Sequence, residues 1–246
     1  MPNENTPEYI KAFYDHAANV SRGQDHVYAV RLLEKLVELR DPFYTSFALA
    51  LLEQAYKRLG RDDLVAKTLK RVTELPKDQQ VLLNPAWLAS CYQRTGDFKG
   101  AKTILAEIRQ LSPDEPYAVA SMAEIALAEG RPDQAYIISE SLRRRPEPAY
   151  QVLGNTLGAI ALSVQGLHDS AAKELSWVGQ FLISSGSIPA TVWDYSDLQK
   201  LVANQTGVLA AAAQVVLNVL TGKVPLAEFT QSWSTVESAL QSTSKR

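Results

Sequence analysis

The sequence predicts an all-α fold, a solenoid of stacked helical hairpins closed at its C-terminal end by further helices. Three observations carry that reading. Glycines at 23, 60, 96, 130 and 166 recur at separations of 37, 36, 34 and 36 residues, the near-constant period that marks repeat architectures. About five positions after each glycine stands a small apolar residue: Ala29, Val65 (with Ala66 beside it), Ala101, Ala135 and Ala171. A small side chain at that point lets the two helices of a hairpin come close. The stretch Pro85 to Pro113, finally, reads as one whole unit. Leu88 and Tyr92 lie four apart on one helical face, Gly96 and Asp97 break the helix, and Ala101, Leu105 and Ile108 form a second apolar stripe. Two such helices cannot bury their apolar faces alone, so a stack is implied.

Each element follows from local signals. The first hairpin, residues 8–42, pairs Glu8–Val20 with His26–Arg40, where Leu32, Leu33, Leu36 and Leu39 keep helical spacing and Asp41-Pro42 stops the chain. Its first helix fits the pattern poorly, as an N-terminal cap would. The second, 43–76, pairs Phe43–Leu59 with Asp62–Leu75, turning Leu52, Tyr56, Leu69, Val72 and Leu75 inward and ending at Pro76. Lys77–Asn84 lengthens the connection to the third, 83–113. The fourth, 117–146, pairs Tyr117–Ala128 with Pro132–Arg144, and Pro132 suits a first helical turn, which needs no amide donor. The fifth, 150–184, pairs Tyr150–Val164 with His168–Ser184 and is degenerate. Gly154 and Gly158 in its first helix cost about 1 kcal/mol each against alanine unless close packing uses them. Gly158 reads as a packing residue, and Gly154 has no explanation at this level.

After Ser184-Ser185-Gly186-Ser187 the repeat register is lost. This places repeats in 1–186 and a C-terminal capping segment in 187–246. Asp194–Ala203 and Gly207–Thr221 read as helical, separately or as one longer helix. The latter is apolar nearly all round, with only Gln214 and Asn218 marking a polar edge, as a buried helix requires. A last helix follows Val224-Pro225-Leu226, with Phe229, Trp233, Val236 and Leu240 on one stripe.

The stretch 85–113 resembles a tetratricopeptide (TPR) repeat in Leu88, Ala89, Tyr92, Gly96, Asp97, Phe98, Ala101, Leu105, Ile108 and Pro113. The resemblance implies a right-handed superhelix whose first helices line a concave groove for a protein or peptide. Carried over, the groove positions are Phe47, Ala50, Gln54, Lys57 and Arg58 in the second unit and Leu83, Ala86, Ser90, Gln93 and Arg94 in the third. In the fourth they are Tyr117, Ala120, Glu124, Leu127 and Ala128. One TPR subclass grips the carboxylate tails of heat-shock chaperones with Lys and Asn. The matching places here hold Ala50 and Gln54, Ala86 and Ser90, Ala120 and Glu124, so that specificity is not transferred.

Composition narrows the function classes. Of 246 residues, 46% are hydrophobic and 21% charged, with a net charge of −2, which gives no field favouring nucleic acid or an anionic membrane. One cysteine, Cys91, rules out an internal disulfide. The N-terminus has no secretory pattern, and Gly207–Thr221 is too short to span a bilayer, so the expectation is a soluble, cytoplasmic protein without membrane insertion. Charge thins sharply along the chain: 40 charged residues in 1–146 against 12 in 147–246. A charge-poor third implies burial, within the chain or against a second copy.

Chemical motifs are few. His16, His26 and His168 are scattered, Cys91 reads as a small core residue, and no nucleophile elbow or dinucleotide loop occurs. Thr221-Gly222-Lys223 lacks the upstream glycine of a phosphate loop, where Leu217 stands instead. Arg143-Arg144-Arg145 reads as serving the negative end of its helix from water. No catalytic residue, metal or cofactor is expected. The expected function is a non-catalytic scaffold or adaptor that binds a partner in the groove. Homo-oligomer assembly through the C-terminal helices, with Trp193 and Trp233 as interface residues, is the alternative. An enzyme in that third has only His168, Asp169, Asp194 and Asp197 to work with.

Overall fold

The structure is a computed structural model, and it describes residues 6–190 and 193–243. Every regular element among them is an α-helix. The chain divides into two compact units, residues 1–108 and 109–246, each taken by itself below.

The first unit holds α1 (Pro7–Arg22), α2 (His26–Glu38), α3 (Pro42–Arg58), α4 (Asp62–Thr73), α5 (Lys77–Gln80), α6 (Pro85–Arg94) and most of α7 (Phe98–Leu111). Helix starts are set by side-chain caps. Thr6, Asp25, Asp41 and Asn84 each accept a hydrogen bond from an amide of the first turn, and Pro7, Pro42 and Pro85 stand at the start of α1, α3 and α6. The connection Lys77–Asn84 carries the short α5. The Gln80 amide on it donates to the carbonyls of Thr73 (3.1 Å) and Leu75 (2.8 Å), closing the end of α4.

The second unit holds α8 (Pro116–Ala128), α9 (Pro132–Arg143), α10 (Pro148–Val164), α11 (His168–Ser185), α12 (Ser196–Ala203), α13 (Val208–Leu220) and α14 (Leu226–Thr243). Asp194–Thr221 is thus two helices and not one, because Gly207 interrupts it at φ 96°, a backbone region closed to other residues. A single core runs through Leu153, Leu157, Leu175, Leu198, Val216 and Trp233. Residues 187–246 therefore share their core with the fourth and fifth hairpins, and the division of the chain falls within α7, far from residue 186.

One turn recurs. After α3, α6, α8 and α10 the glycine is left-handed, and the next amide (Arg61, Asp97, Arg131, Leu167) reaches back to a carbonyl five residues earlier at 2.8–3.0 Å. This is the Schellman closure, which satisfies carbonyls the helix end leaves open. The first hairpin lacks it, since Gly23 has φ −78°. The same closure appears after α13, where Gly222 has φ 71° and Lys223 donates to Asn218 at 2.9 Å. Moreover α13 packs on α10 and α11 just as α10 packs on α8 and α9, and α14 packs on α11 and α13. The pair α13–α14 is a sixth hairpin, so the register lost in sequence is regained in space. Thr221-Gly222-Lys223 is its turn.

Glycines explain how closely these helices sit. A Cβ at Gly154 would lie 2.8 Å from the Arg143 amide nitrogen and 2.9 Å from the Leu142 Cβ, so α10 rests directly on α9 there. Gly158 has only ordinary contacts, 3.4 Å or more. Gly179 is the notch in α11 that receives Trp233, whose ring would be 2.0 Å from a Cβ.

Candidate functional site: the faces of the first helices

In the first unit the first helices are α1, α3 and α6. At the start of α3, Phe43 and Phe47 pack at 5.0 Å between ring centres, and Tyr14 of α1 meets Tyr44 at 5.1 Å and Phe47 at 6.4 Å. Phe43 is about half exposed, so this cluster shows an apolar surface to solvent. At the other end of α3, Glu53 is sunk into the protein with 3% of its side chain exposed. Its Oε1 accepts from Lys57 Nζ at 2.7 Å and from Arg94 Nη1 at 3.1 Å. Arg58 beside them donates to the Ser21 carbonyl of α1 at 3.1 Å. Two cations thus hold one buried carboxylate, and Arg58 stands beside them, so that Lys57, Arg58 and Arg94 lie at the ends of α3 and α6. Those are C-terminal ends, where the helix dipole favours cations and fixes their place. Gln54 is exposed on the same helix, while Ser90 and Gln93 are half-buried on α6.

Just behind this face Tyr56 donates to Glu34 at 2.9 Å, and Arg71 binds the same carboxylate at 3.0 Å. Burial, and then the hydrogen bond to the Glu34 carboxylate, push the Tyr56 phenol up to about 12. Cys91 is fully buried, and desolvation pushes its thiol up strongly, so it is a core residue without a reactive thiolate.

In the second unit the corresponding positions are covered by the chain itself. Trp193 donates its indole N–H to Glu124 Oε1 at 3.0 Å and packs on Tyr117 with ring centres 5.2 Å apart. Helix α12, just after it, packs on α8 and α13, both first helices. Ala120, Glu124 and Leu127 are consequently buried, whereas Ala128 stays exposed. Tyr195 is also buried, its hydroxyl has no hydrogen-bond partner, and burial together with the Glu124 charge pushes its phenol up.

The two tryptophans singled out in the C-terminal third have different surroundings. Trp193 is half-buried on the α8 face. Trp233 is 1% exposed, lying in the Gly179 notch and stacked on Phe229 at 5.1 Å, so its surface is spent within its own chain. The arginine run does not act as one patch. Arg143 turns inward to Glu174 and lies over the Tyr136 ring, Arg144 pairs with Glu140 at 2.6 Å, and Arg145 donates to the Asp114 carbonyl at 2.9 Å. Only Arg144 of the three is largely in water.

Sequence reasoning passed over Tyr14, Glu53 and Tyr195. Glu53 had a signal, because it stands four residues before Lys57 on one helix, the favourable order for an ion pair. The aromatic contact of Tyr14 crosses two hairpins and had none.

Residues 93–153, about a quarter of the chain, match a family model described as tetratricopeptide repeat. No curated protein matches the chain. Repeats of this family generally mediate protein–protein interaction and are typically non-catalytic. Among the described residues no helix is long and apolar enough to cross a membrane. None of their His, Cys, Asp and Glu side chains form a group of three able to hold a metal ion.

Proposed function

For a chain that carries tetratricopeptide repeats, we propose a protein-binding scaffold whose N-terminal unit holds an acidic segment of a partner. The segment lies on the faces of α1, α3 and α6. The observation that carries this is the basic end of α3 and α6, where Lys57 and Arg94 hold the buried Glu53 and the exposed Arg58 stands beside Lys57. Arg58 is exposed and donates to a neutral carbonyl, so its charge can meet a carboxylate of the partner. The aromatic cluster of Tyr14, Phe43 and Phe47 offers an apolar side chain of the same segment a place to pack.

The test is capture from native lysate with wild type against Lys57→Glu/Arg58→Glu, read by mass spectrometry and repeated at rising salt. Because Lys57 also holds the buried Glu53, circular dichroism and a thermal melt must first show the variant as helical and as cooperative as wild type. A partner held by wild type, lost from the variant and weakened by salt supports the reading. A partner held equally by both proteins sinks it. Self-assembly has one supporting feature, Trp177, 37% exposed and stacked on Phe181 at 5.3 Å. Mass measured against concentration, with Trp177→Ala as the control, decides that alternative.

A further inference from the structure

The lengthened connection to the third hairpin opens a cavity in the N-terminal unit. Between α5 and α7, over the Leu88 and Tyr92 side chains of α6, lies a pocket of about 560 Å³, within the range of about 300–1,000 Å³ usual for small-molecule sites. Of the groove positions in the third unit only Leu83 reaches it, and Leu83 is buried. The α7 wall is Gly100, Thr103, Ile104 and Glu107, which recur at the spacing of one helical face. Gly100 lets that wall approach, since a Cβ there would lie 2.6 Å from the Tyr92 ring. On the α5 side one cation is fixed by buried groups. Gln80, 3% exposed, gives its amide N–H groups to the Thr73 and Leu75 carbonyls. Its oxygen accepts from Lys77 Nζ at 3.0 Å and from the Tyr92 hydroxyl at 3.0 Å. The Tyr92 hydroxyl oxygen accepts a second Lys77 N–H at 3.1 Å. Both acceptors are neutral, and no carboxylate pairs with Lys77 among the described residues. Its charge and its third N–H are therefore left for a ligand. On α7, Glu107 is exposed and forms no hydrogen bond or ion pair among the described residues. Asp97, the other acid of the pocket, already accepts the Gly100 amide at 2.8 Å.

A cation and an anion thus line one apolar cavity without meeting each other. We propose that this cavity binds a small zwitterion with an apolar body, an amino acid or a short peptide with free termini. Lys77 takes its carboxylate, Glu107 takes its ammonium, and its side chain packs on Leu88, Tyr92 and Ile104. Each charge of the site then gains its opposite in a charge-assisted bond, the strong kind of hydrogen bond. A ligand with a single charge leaves one of the two groups unmatched. Gln80 and Tyr92 hold Lys77 before any ligand arrives, so little further ordering is needed at that end. The site is separate from the first-helix face in place and in chemistry, since that face offers cations for an acidic segment.

The test uses the full chain and isothermal titration calorimetry with L-leucine and L-leucyl-L-leucine, each also N-acetylated and C-amidated. The expected result is binding of at least one free form with Kd of about 1 mM or tighter, weakened about tenfold by either cap. Whichever free form binds tighter supports the proposal and sets the span between the two charges. No binding of either at about 10 mM overturns it, and so does binding indifferent to the caps. Lys77→Met should weaken the free form about tenfold and bind it no better than the amide. Glu107→Gln should likewise bind the free form no better than the acetylated one. A merely structural role for either residue does not produce this crossing of cap and substitution, and its absence overturns the proposal. Thr103→Trp fills the cavity from an exposed position and should remove binding while the thermal melt stays that of wild type. Binding retained by that variant overturns the proposal. Lys57→Glu/Arg58→Glu should bind the same ligands as wild type does, so a failure here is distinct from a failure at the first-helix face. Binding lost in that variant, with its melt unchanged, moves the site to that face and overturns the proposal.

Discussion

Removing Arg94 should destabilise the N-terminal unit by far more than a surface arginine would. The Glu53 side chain is 3% exposed and that of Arg94 14%, and they meet at 3.1 Å. Stripping one partner from a buried ion pair typically costs about 3–5 kcal/mol, because the remaining charge stays desolvated. Lys57 is still present at 2.7 Å, but its side chain is 39% exposed and water weakens its hold. The expected cost of Arg94→Met is therefore about 2–3 kcal/mol. Removing both charges in Glu53→Leu/Arg94→Met should recover at least 1 kcal/mol of the single variant's loss, as contacting residues are non-additive by about that amount. Native-state hydrogen exchange of α3 and α6 amides measures this within the unit concerned. A cost below about 1 kcal/mol, or a double variant no more stable than Arg94→Met, would refute the reasoning and make the pair a surface contact. The expected cost also explains why Arg94 is a poor choice for testing partner binding.

Three further outcomes follow from the packing. Gly154→Ala should cost about 1–3 kcal/mol, because its Cβ would meet α9 backbone at 2.8 Å. Gly158→Ala should be neutral or gain about 0.5–1 kcal/mol, so equal thermal midpoints for the two variants would contradict the account. Tyr56 ionises at about 12 in the folded chain and near 10 unfolded. The unfolded state therefore releases its proton first, and this contribution to stability is complete below pH 10 and lost as pH rises towards 12. Alkaline urea titrations should accordingly show a shallower fall over that window in Tyr56→Phe, and identical slopes would remove Tyr56 as a cause. A chain ending at Gly186 should lose the cooperative melt of the C-terminal unit, because Leu153, Leu175 and Val178 share a core with α13 and α14. Retention of that melt would make 187–246 a dispensable cap.

The helical hairpins were legible because their signals are local. Turn glycines, capping Asp and Asn residues and prolines at helix starts act within a few residues of themselves, so α3, α4 and α8 to α11 fall close to their expected bounds. What escaped depends on contacts distant in sequence. Gly154 had no meaning until α9 was placed against it. Trp233 stood on the apolar stripe of the last helix, and as an interface residue in the oligomer alternative, but the notch that receives it, Gly179, lies more than fifty residues earlier. The groove positions of the third and fourth repeats look alike on paper, yet Arg94 is engaged with a carboxylate of the preceding hairpin, while Glu124 is engaged with Trp193 from far downstream.

The sixth hairpin shows why period alone was an incomplete guide. Gly166 and Gly222 are too far apart to fit the 34–37 residue spacing, because the stretch carrying Trp193 and α12 intervenes. Its second helix also abandons the small residue that earlier hairpins bury. Ala227 is exposed, and Phe229 and Trp233 are buried in its place. Large side chains fit there only because α11 yields the space at Gly179. The turn nevertheless keeps the Schellman closure of its predecessors, since that geometry solves the same problem of unsatisfied carbonyls wherever a first helix ends. Two constraints of different reach have thus been varied separately. The turn obeys local backbone chemistry, while the packing has been renegotiated between helices. A stack that can close over an intervening segment in this way does not need that segment for its continuity. Trp193 and α12 are held all the same, because Tyr195, Leu198 and Val202 join the core of the unit and Gln199 bonds Thr221 and Lys223 at the turn of the sixth hairpin.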